Sequence, residues 1–387
     1  MNRMSFTSVI FGRVESLSTQ IPSTDETLAG LKKTVVAPRP APGTTATVSV
    51  VIPCYNYARY LPQAVASTLS QEGVDVEIVI VDDCSTDDSV AVARDLASNH
   101  PNIVVIARAR NSGPVDTFNE GLARASGEFL VRLDADDLLT PGALQRAVAL
   151  MRAYPSVGLV YGHPLHFAGN RLPAARRTAT RWTIWPGKRW LVDRCTAGVN
   201  VITSPEAVMR KSIVDRVGGQ KPLAHTHDME MWLRLSAFSD VAYIHGADQA
   251  WHRDHQQSLS ARKVDSLRDL LERRDAFETL FSGIAAAIPN ARAFHASAMQ
   301  AIAIDAVELA TRQYDHPKPD IALIQQLREI AREIEPEVAR IPGWAGLEWR
   351  SAVGAPHTCR HPVFFAERAV RGLRGIWRRR LWHRSGI

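Results

Sequence analysis

The stretch Phe129-Leu130-Val131-Arg132-Leu133-Asp134-Ala135-Asp136-Asp137 reads as an apolar strand that runs straight into three carboxylates. Side chains alternate along a strand, so Asp134 and Asp136 leave its end from the same face, into the crevice where open α/β sheets bind ligands. Carboxylates crowded in this way repel one another unless a cation lies between them, and oxygen donors suit Mg2+ or Mn2+. The competing reading is a helix cap, in which Asp136 or Asp137 satisfies the free N–H groups of a helix opening near Pro141.

The same strand-then-polar pattern recurs upstream. Val48-Ser49-Val50-Val51-Ile52-Pro53 is a β-branched run of the kind found in buried strands, and Val76 to Val81 and Ile103 to Ile106 are two more. Between them, Leu61 to Leu69, Ser85 to Ala97 and Thr117 to Ala125 have helical spacing. Apolar strands alternating with helices predict a mainly parallel sheet covered on both faces. Pro53 to Asn56, Asp82-Asp83 and Asp134 to Asp137 then share one rim. Helices are expected further on, at Asp265 to Phe281, Ala291 to Gln313 and Pro319 to Glu333. Four segments follow: 1–46, poorly ordered and ending in a Pro-rich linker; 47–261, the α/β domain; 262–362, a helical C-terminal region; and 363–387, a basic amphipathic tail.

With 387 residues, 45% hydrophobic and 22% charged, the composition is that of an ordinary globular protein. No apolar run approaches the ~18–20 residues that span a bilayer, and the first twenty residues lack a signal-peptide core. Cys54, Cys84, Cys195 and Cys359 have no metal-ligand or disulfide spacing, so reduced thiols and a cytoplasmic location are expected. The net charge of +6 belongs to the tail, where Arg368, Arg371, Arg374, Arg378, Arg379, Arg380 and Arg384 face the single acid Glu367. Val370, Leu373, Trp377 and Leu381 fall on one side of that helix. An anionic membrane surface is the expected partner, ahead of an acidic protein and without a role for nucleic acid.

Val50-Val51-Ile52-Pro53-Cys54-Tyr55-Asn56, Val81-Asp82-Asp83-Cys84-Ser85-Thr86-Asp87 and Asn111-Ser112-Gly113-Pro114 with Asn119-Glu120-Gly121 offer an aromatic face, an amide and paired carboxylates, as a nucleoside requires. Ser85 or Thr86 is also placed to cap the helix that follows. Together with Ala125-Ser126-Gly127-Glu128 and Leu133-Asp134-Ala135-Asp136-Asp137, these segments resemble the nucleotide half of the family-2, GT-A-fold glycosyltransferases. Val217-Gly218-Gly219 and His227-Asp228-Met229-Glu230-Met231-Trp232-Leu233-Arg234 resemble the acceptor half, and Arg253-Asp254-His255-Gln256-Gln257-Ser258 its closing Arg-x-His segment. The motifs occur in order over roughly residues 48 to 260.

The resemblance implies a GT-A fold and inverting transfer of a sugar from a nucleoside-diphosphate donor, uridine by family frequency, to a hydroxyl on a glycan or lipid-linked acceptor. Surface polysaccharide or glycolipid assembly is the implied setting, with the protein peripheral on the inner face of the membrane. It places Pro53, Tyr55, Asn56, Asp82, Asp83 and Asp134 at the nucleotide, with Asp87 supporting the loop. Asp136 and His255 fall at a Mn2+ or Mg2+ ion, and Asp228 at the catalytic base. Glu230, Trp232, Arg234 and Arg253 serve the acceptor or support the site. The position before the base is usually acidic and here is His227. Two rivals remain: a nucleotidyltransferase, which would want a Gly- and Lys-rich phosphate loop that Pro53-Cys54-Tyr55-Asn56 does not supply, and a non-catalytic sugar-nucleotide-binding or membrane adaptor protein of the same fold. Trp182, Trp185 and Trp190, among Arg176, Arg177, Arg181, Lys188 and Arg189, suit either a stacked acceptor sugar or a packed loop edge.

Overall fold

A computed structural model describes residues 30–40, 43, 45–255 and 265–386. Its strands are β1 (Thr34–Val36), β2 (Thr47–Cys54), β3 (Asp75–Asp82), β4 (Ile103–Ala107), β5 (Phe129–Arg132), β6 (Leu138–Leu139), β7 (Val157–Phe167), β8 (Arg181–Trp185), β9 (Val208–Arg210) and β10 (Asp240–Arg253). Helices α1 (Leu61–Leu69), α2 (Ser89–Asn99), α3 (Pro114–Arg124), α4 (Ala143–Ala153), α5 (Gly187–Ala197), α6 (Lys211–Val217) and α7 (His227–Phe238) lie between strands. Then come α8 (Ser266–Ser282), α9 (Ala291–Gln313), α10 (Ile321–Ile334), α11 (Trp344–Val353), the short turn α12 (Ala355–Thr358) and α13 (Pro362–Ser385).

The strands form one sheet in the order β1-β8-β10-β7-β9-β5-β2-β3-β4, with β6 paired to β10. β2 pairs in parallel with β3 and β5, β3 with β4, and β10 with β7. Only β6, β8 and β9 run against the rest. The carboxyl ends of β2, β3, β5, β7 and β10 therefore open on the same rim. This is the doubly covered, mainly parallel sheet that the strand pattern predicts.

Alternation along the central strands separates two cores. Val50 and Ile52 of β2, Ile78 and Ile80 of β3, and Phe129 and Val131 of β5 pack with α1 and α4. Val51, Val79, Val81 and Leu130 point the other way, into a core that continues through α7 to α9. Each fully buried aliphatic side chain contributes about 1.5–3 kcal/mol relative to exposure. α3 lies close on the sheet at Gly121, where an added Cβ would come within 2.4 Å of Val51 Cγ1.

Several boundaries depart from the local pattern. Residues 34–36, expected within a linker, add β1 to the sheet edge against Trp182–Ile184 of β8, while 1–29 lie outside the described residues. α2 starts at Ser89 rather than Ser85, and Ser85 is not its cap: its hydroxyl donates to Asp82 Oδ1 at 2.5 Å and accepts the Asn56 N–H. Neither Asp136 nor Asp137 caps α4, whose N-cap is Gly142. Trp182, Trp185 and Trp190 are all buried, as the packed reading holds.

Candidate active site

Three strand-end loops build one side of the rim. After β2, Asn56 adopts φ +60, a left-handed conformation that asparagine tolerates. Its Oδ1 accepts from Thr86 N at 2.8 Å and Asp87 N at 3.3 Å, locking the first loop to the second. Asp87 in turn accepts from Ser89 N and Ala58 N. Asp82 is fully buried and holds Ser85. Asp83 accepts from Ser112 N at 2.9 Å, Gly113 N at 2.8 Å and Arg108 Nη1 at 3.2 Å, so it is the brace of the third loop. Tyr55 stands out at the surface, 44% exposed, with its ring available to stack. Pro53 is half-buried at the strand end.

The acidic stretch is held by β10. Arg253 donates its backbone N–H to Asp137 Oδ1 at 2.8 Å, and its guanidinium donates to Asp136 O, Gly169 O and Gln63 Oε1. The same guanidinium lies over the rings of Tyr60 and Phe167. His252 pairs with Asp137 at 3.1 Å. Burial pushes Asp137 up to about 7, whereas His252, though burial lowers it, is lifted by its Asp137 hydrogen bond to about 9; the pair keeps a proton near neutral pH. Asp136 instead points to His255, Nε2 to Oδ2 2.7 Å, beside the rings of Tyr57 and Tyr60. Burial and then the charges of Asp136 and Asp134 push the Tyr57 phenol far up, which keeps it a neutral hydroxyl beside Asp136.

Arg132, at the last position of β5, joins the two halves. It is buried and grips Asp134 at 2.8 Å. Its Nη1 reaches Ser204 Oγ at 3.4 Å, and Ser204 sits at φ +135, a backbone region that disfavours a side chain. Burial raises Asp134, with Arg132 opposing and Asp136 reinforcing the rise. Asp228, in the first turn of α7, feels the same surroundings: burial raises it to about 6, Arg132 and His225 hold it down, and Asp134 pushes it up. Its Oδ1 accepts from Met229 N at 2.6 Å. His227 is buried and, through burial and then Arg132, lowered to about 3, so it is neutral where an acid is usual.

The remaining residues support. Arg234 and Glu230 form a buried pair at 2.8 Å, and Arg234 also donates to the carbonyls of Val217, Gly218 and Gly219. Trp232 is buried. Asn119 Oδ1 accepts from Gln220 N while its Nδ2 donates to Gln220 O, tying α3 to the loop before α7. Gln256 to Ser258, the end of the closing segment, lie outside the described residues. The structure thus brings Asp136 to His255 and Asp134 to Arg132, with Asp228 within electrostatic reach of both Arg132 and Asp134, while Asp82, Glu230, Arg234 and Arg253 are tied into the surrounding backbone and side chains. Arg132, His252 and Tyr57 were not singled out from the sequence; a lone arginine inside an apolar strand is the signal that points to the first.

The Asp136 carboxylate and the His255 imidazole are donors of the kind that suit a Mn2+ or Mg2+ ion, whereas the three potential ligands that lie closely grouped among the described residues are His166, His252 and Asp254. A GT-A glycosyltransferase fold is the class that this sheet and this rim define. Residues 49–218 match the family model for glycosyl transferase family 2. An uncharacterised glycosyltransferase of Nostoc is 44% identical over 114 residues, 30% of this chain and 35% of that protein. A chondroitin synthase of Escherichia coli is 34% identical over 221 residues, 56% of this chain and 30% of that protein. Among solved structures, S. aureus TarS shares the fold at a TM-score of 0.50 and 16% identity, covering 76% of this chain and 54% of that one. The chain spans about a third of the length of the Nostoc protein, the succinoglycan biosynthesis protein of Rhizobium meliloti and the Escherichia coli chondroitin synthase.

Proposed function

We propose that this chain transfers a sugar, with inversion, from a nucleoside-diphosphate donor to a hydroxyl acceptor, and that Asp228 is the base. The observation that carries the reading is the placement of Arg132: one guanidinium holds Asp134 on the donor side and lowers Asp228 on the acceptor side. A carboxylate raised to about 6 is ionised at neutral pH yet basic enough to take a hydroxyl proton as attack proceeds. Tyr55 stacks on the base of the nucleotide and Asn56 fixes the loop that presents it. Asp134 faces the ribose. Asp136 and His255 would hold a Mn2+ or Mg2+ ion, which when bound supplies a Lewis acid for the charge that grows on the leaving diphosphate. Arg253 and Asp137 keep Asp136 in position. The anomeric carbon exchanges its bond to the diphosphate oxygen for one to the acceptor oxygen on the opposite face, and Asp228 keeps the proton.

Uracil is the proposed base. The acceptor is a glycan or lipid-linked saccharide in surface polysaccharide or glycolipid assembly, a reading supported by relatives named as a chondroitin synthase and a succinoglycan biosynthesis protein. The protein would work on the cytoplasmic face of the membrane, peripherally; no helix among the described residues is long and apolar enough to cross one. A thermal-shift screen of nucleotide sugars with and without Mn2+ tests the donor half, since a ligand that binds only the folded state raises its apparent stability. Stabilisation by one nucleotide-sugar class that needs the cation and is lost in Asp136→Asn is expected. Stabilisation by none, or an unchanged response in that variant, contradicts the reading.

A further inference from the structure

The C-terminal helix α13 has two faces with different fates. Its inner face is fastened to the body near both ends. Near its start Phe364 is buried, Glu367 pairs with Arg350, and Arg368 and Arg371 pair with Asp315. Near its end Trp382 Nε1 donates to Val201 O at 3.0 Å, His383 Nδ1 meets His163 Nε2 at 2.7 Å, and Tyr161 OH donates to Gly386 O at 2.9 Å.

The outer face is left open. Val363, Val370, Leu373, Trp377 and Leu381 recur at spacings of three, four and seven, and Leu373 and Trp377 are 67% and 64% exposed. Exposed Arg374, Arg378, Arg380 and Arg384 flank this stripe on both sides, and Glu367, the one acid of the helix, is taken by Arg350. A second copy laid on the stripe would bring arginine against arginine. Nucleic acid would leave the aliphatic side chains without a partner. A sheet of acyl chains bordered by anionic headgroups satisfies both components, as interfacial helices do.

We propose that the outer face of α13 is an anionic-lipid docking surface, formed before binding because the inner face already holds the helix. Docking lays about 36 Å of helix flat on the bilayer, at the usual rise per residue. The clamps on β7 and β10, through His163 and through His245 on Arg384 O, fix the sheet relative to the lipid plane. The inference rests on the membrane-side role proposed above, and lipid binding is read without sugar transfer, so the two can fail separately.

The test is co-sedimentation of the full chain with vesicles of phosphatidylcholine alone or with 30% phosphatidylglycerol. Binding to the anionic vesicles only is expected, weakening about fivefold for each arginine removed and falling as salt rises. Leu373→Glu with Trp377→Glu should abolish it while leaving the melting temperature and nucleotide-sugar response unchanged, since both side chains are exposed. Blue-shifted tryptophan emission on binding that disappears in Trp377→Phe supports insertion of that face. Retention of the chain in the supernatant, equal binding to neutral vesicles, survival of binding in the double variant, displacement of vesicles by an oligonucleotide, or a stable dimer that breaks in the double variant would each overturn the proposal.

Discussion

At Asp228, burial and a neighbouring guanidinium act in opposite directions, and burial wins, leaving the carboxyl at about 6. The transfer rate should accordingly rise with pH through about 6 and level off above it. Arg132→Met removes the positive charge that lowers the carboxyl, so its rate profile should move to higher pH, whereas a purely structural arginine would lower the rate without moving the profile. The raised carboxyl also costs stability. The fold favours the neutral form, so the contribution is intact below the unfolded value near 3.8 and is lost as pH rises through about 6. Asp228→Asn should therefore melt higher than the parent at pH 8, by about 1–3 kcal/mol, with the gap closing below pH 4. An equal gap at both pH values would contradict the assignment. At this scale the sequence was informative where side chains share one strand end, as Asp134 and Asp136 do. It was silent on His252, whose partner Asp137 lies over a hundred residues upstream, and on the reach of Arg132 to Ser204 and α7 far along the chain.

Among the elements, α7 carries Asp228, the proposed base, and depends on one buried ion pair. Arg234 answers Glu230 and fastens the Val217–Gly219 loop, and both side chains are buried. Arg234→Met should destabilise the fold by about 3–5 kcal/mol, the cost of an unpaired buried carboxylate, and adding Glu230→Gln should recover a part of it. Denaturant unfolding of the two variants measures this, and a smaller loss in the single variant than in the double would count against it. Helix interiors were legible from periodicity: α1 and α9 span the residues that their apolar spacing marks. Helix starts were less so. The loop before α2 is held by Asn56 from thirty residues upstream, a constraint that no local window contains. Pro114 at the first turn of α3, after Gly113 at φ +88, lengthens that helix beyond its periodic part, because proline is preset for the position.

For the molecule as a whole, one sheet joins the proposed nucleotide and acceptor halves, and α13 ties its own end back onto β7 and β10. The first four parallel strands announce themselves as continuous apolar runs. β7, β8 and β10 do not, because histidines, arginines and buried aspartates interrupt them: Asp248 in β10 is held well down by His163 and Arg176 against its burial, and such pairs are visible only once the strands meet. The N-terminal strand β1 is likewise a product of its partner β8. Removal of residues after His361 would take Phe364 and Trp382 from the body, so the truncated chain should melt lower than the parent in calorimetry. An unchanged melting temperature would mean that α13 is not fastened as described. The central claim, that Asp228 serves the transfer step and not donor capture, is read most directly by comparing nucleoside-diphosphate release with donor affinity in Asp228→Asn. A loss of about 10²–10⁴ in turnover with donor affinity within about twofold of the parent is predicted; turnover within a few-fold of the parent, or donor binding lost together with it, would contradict the account.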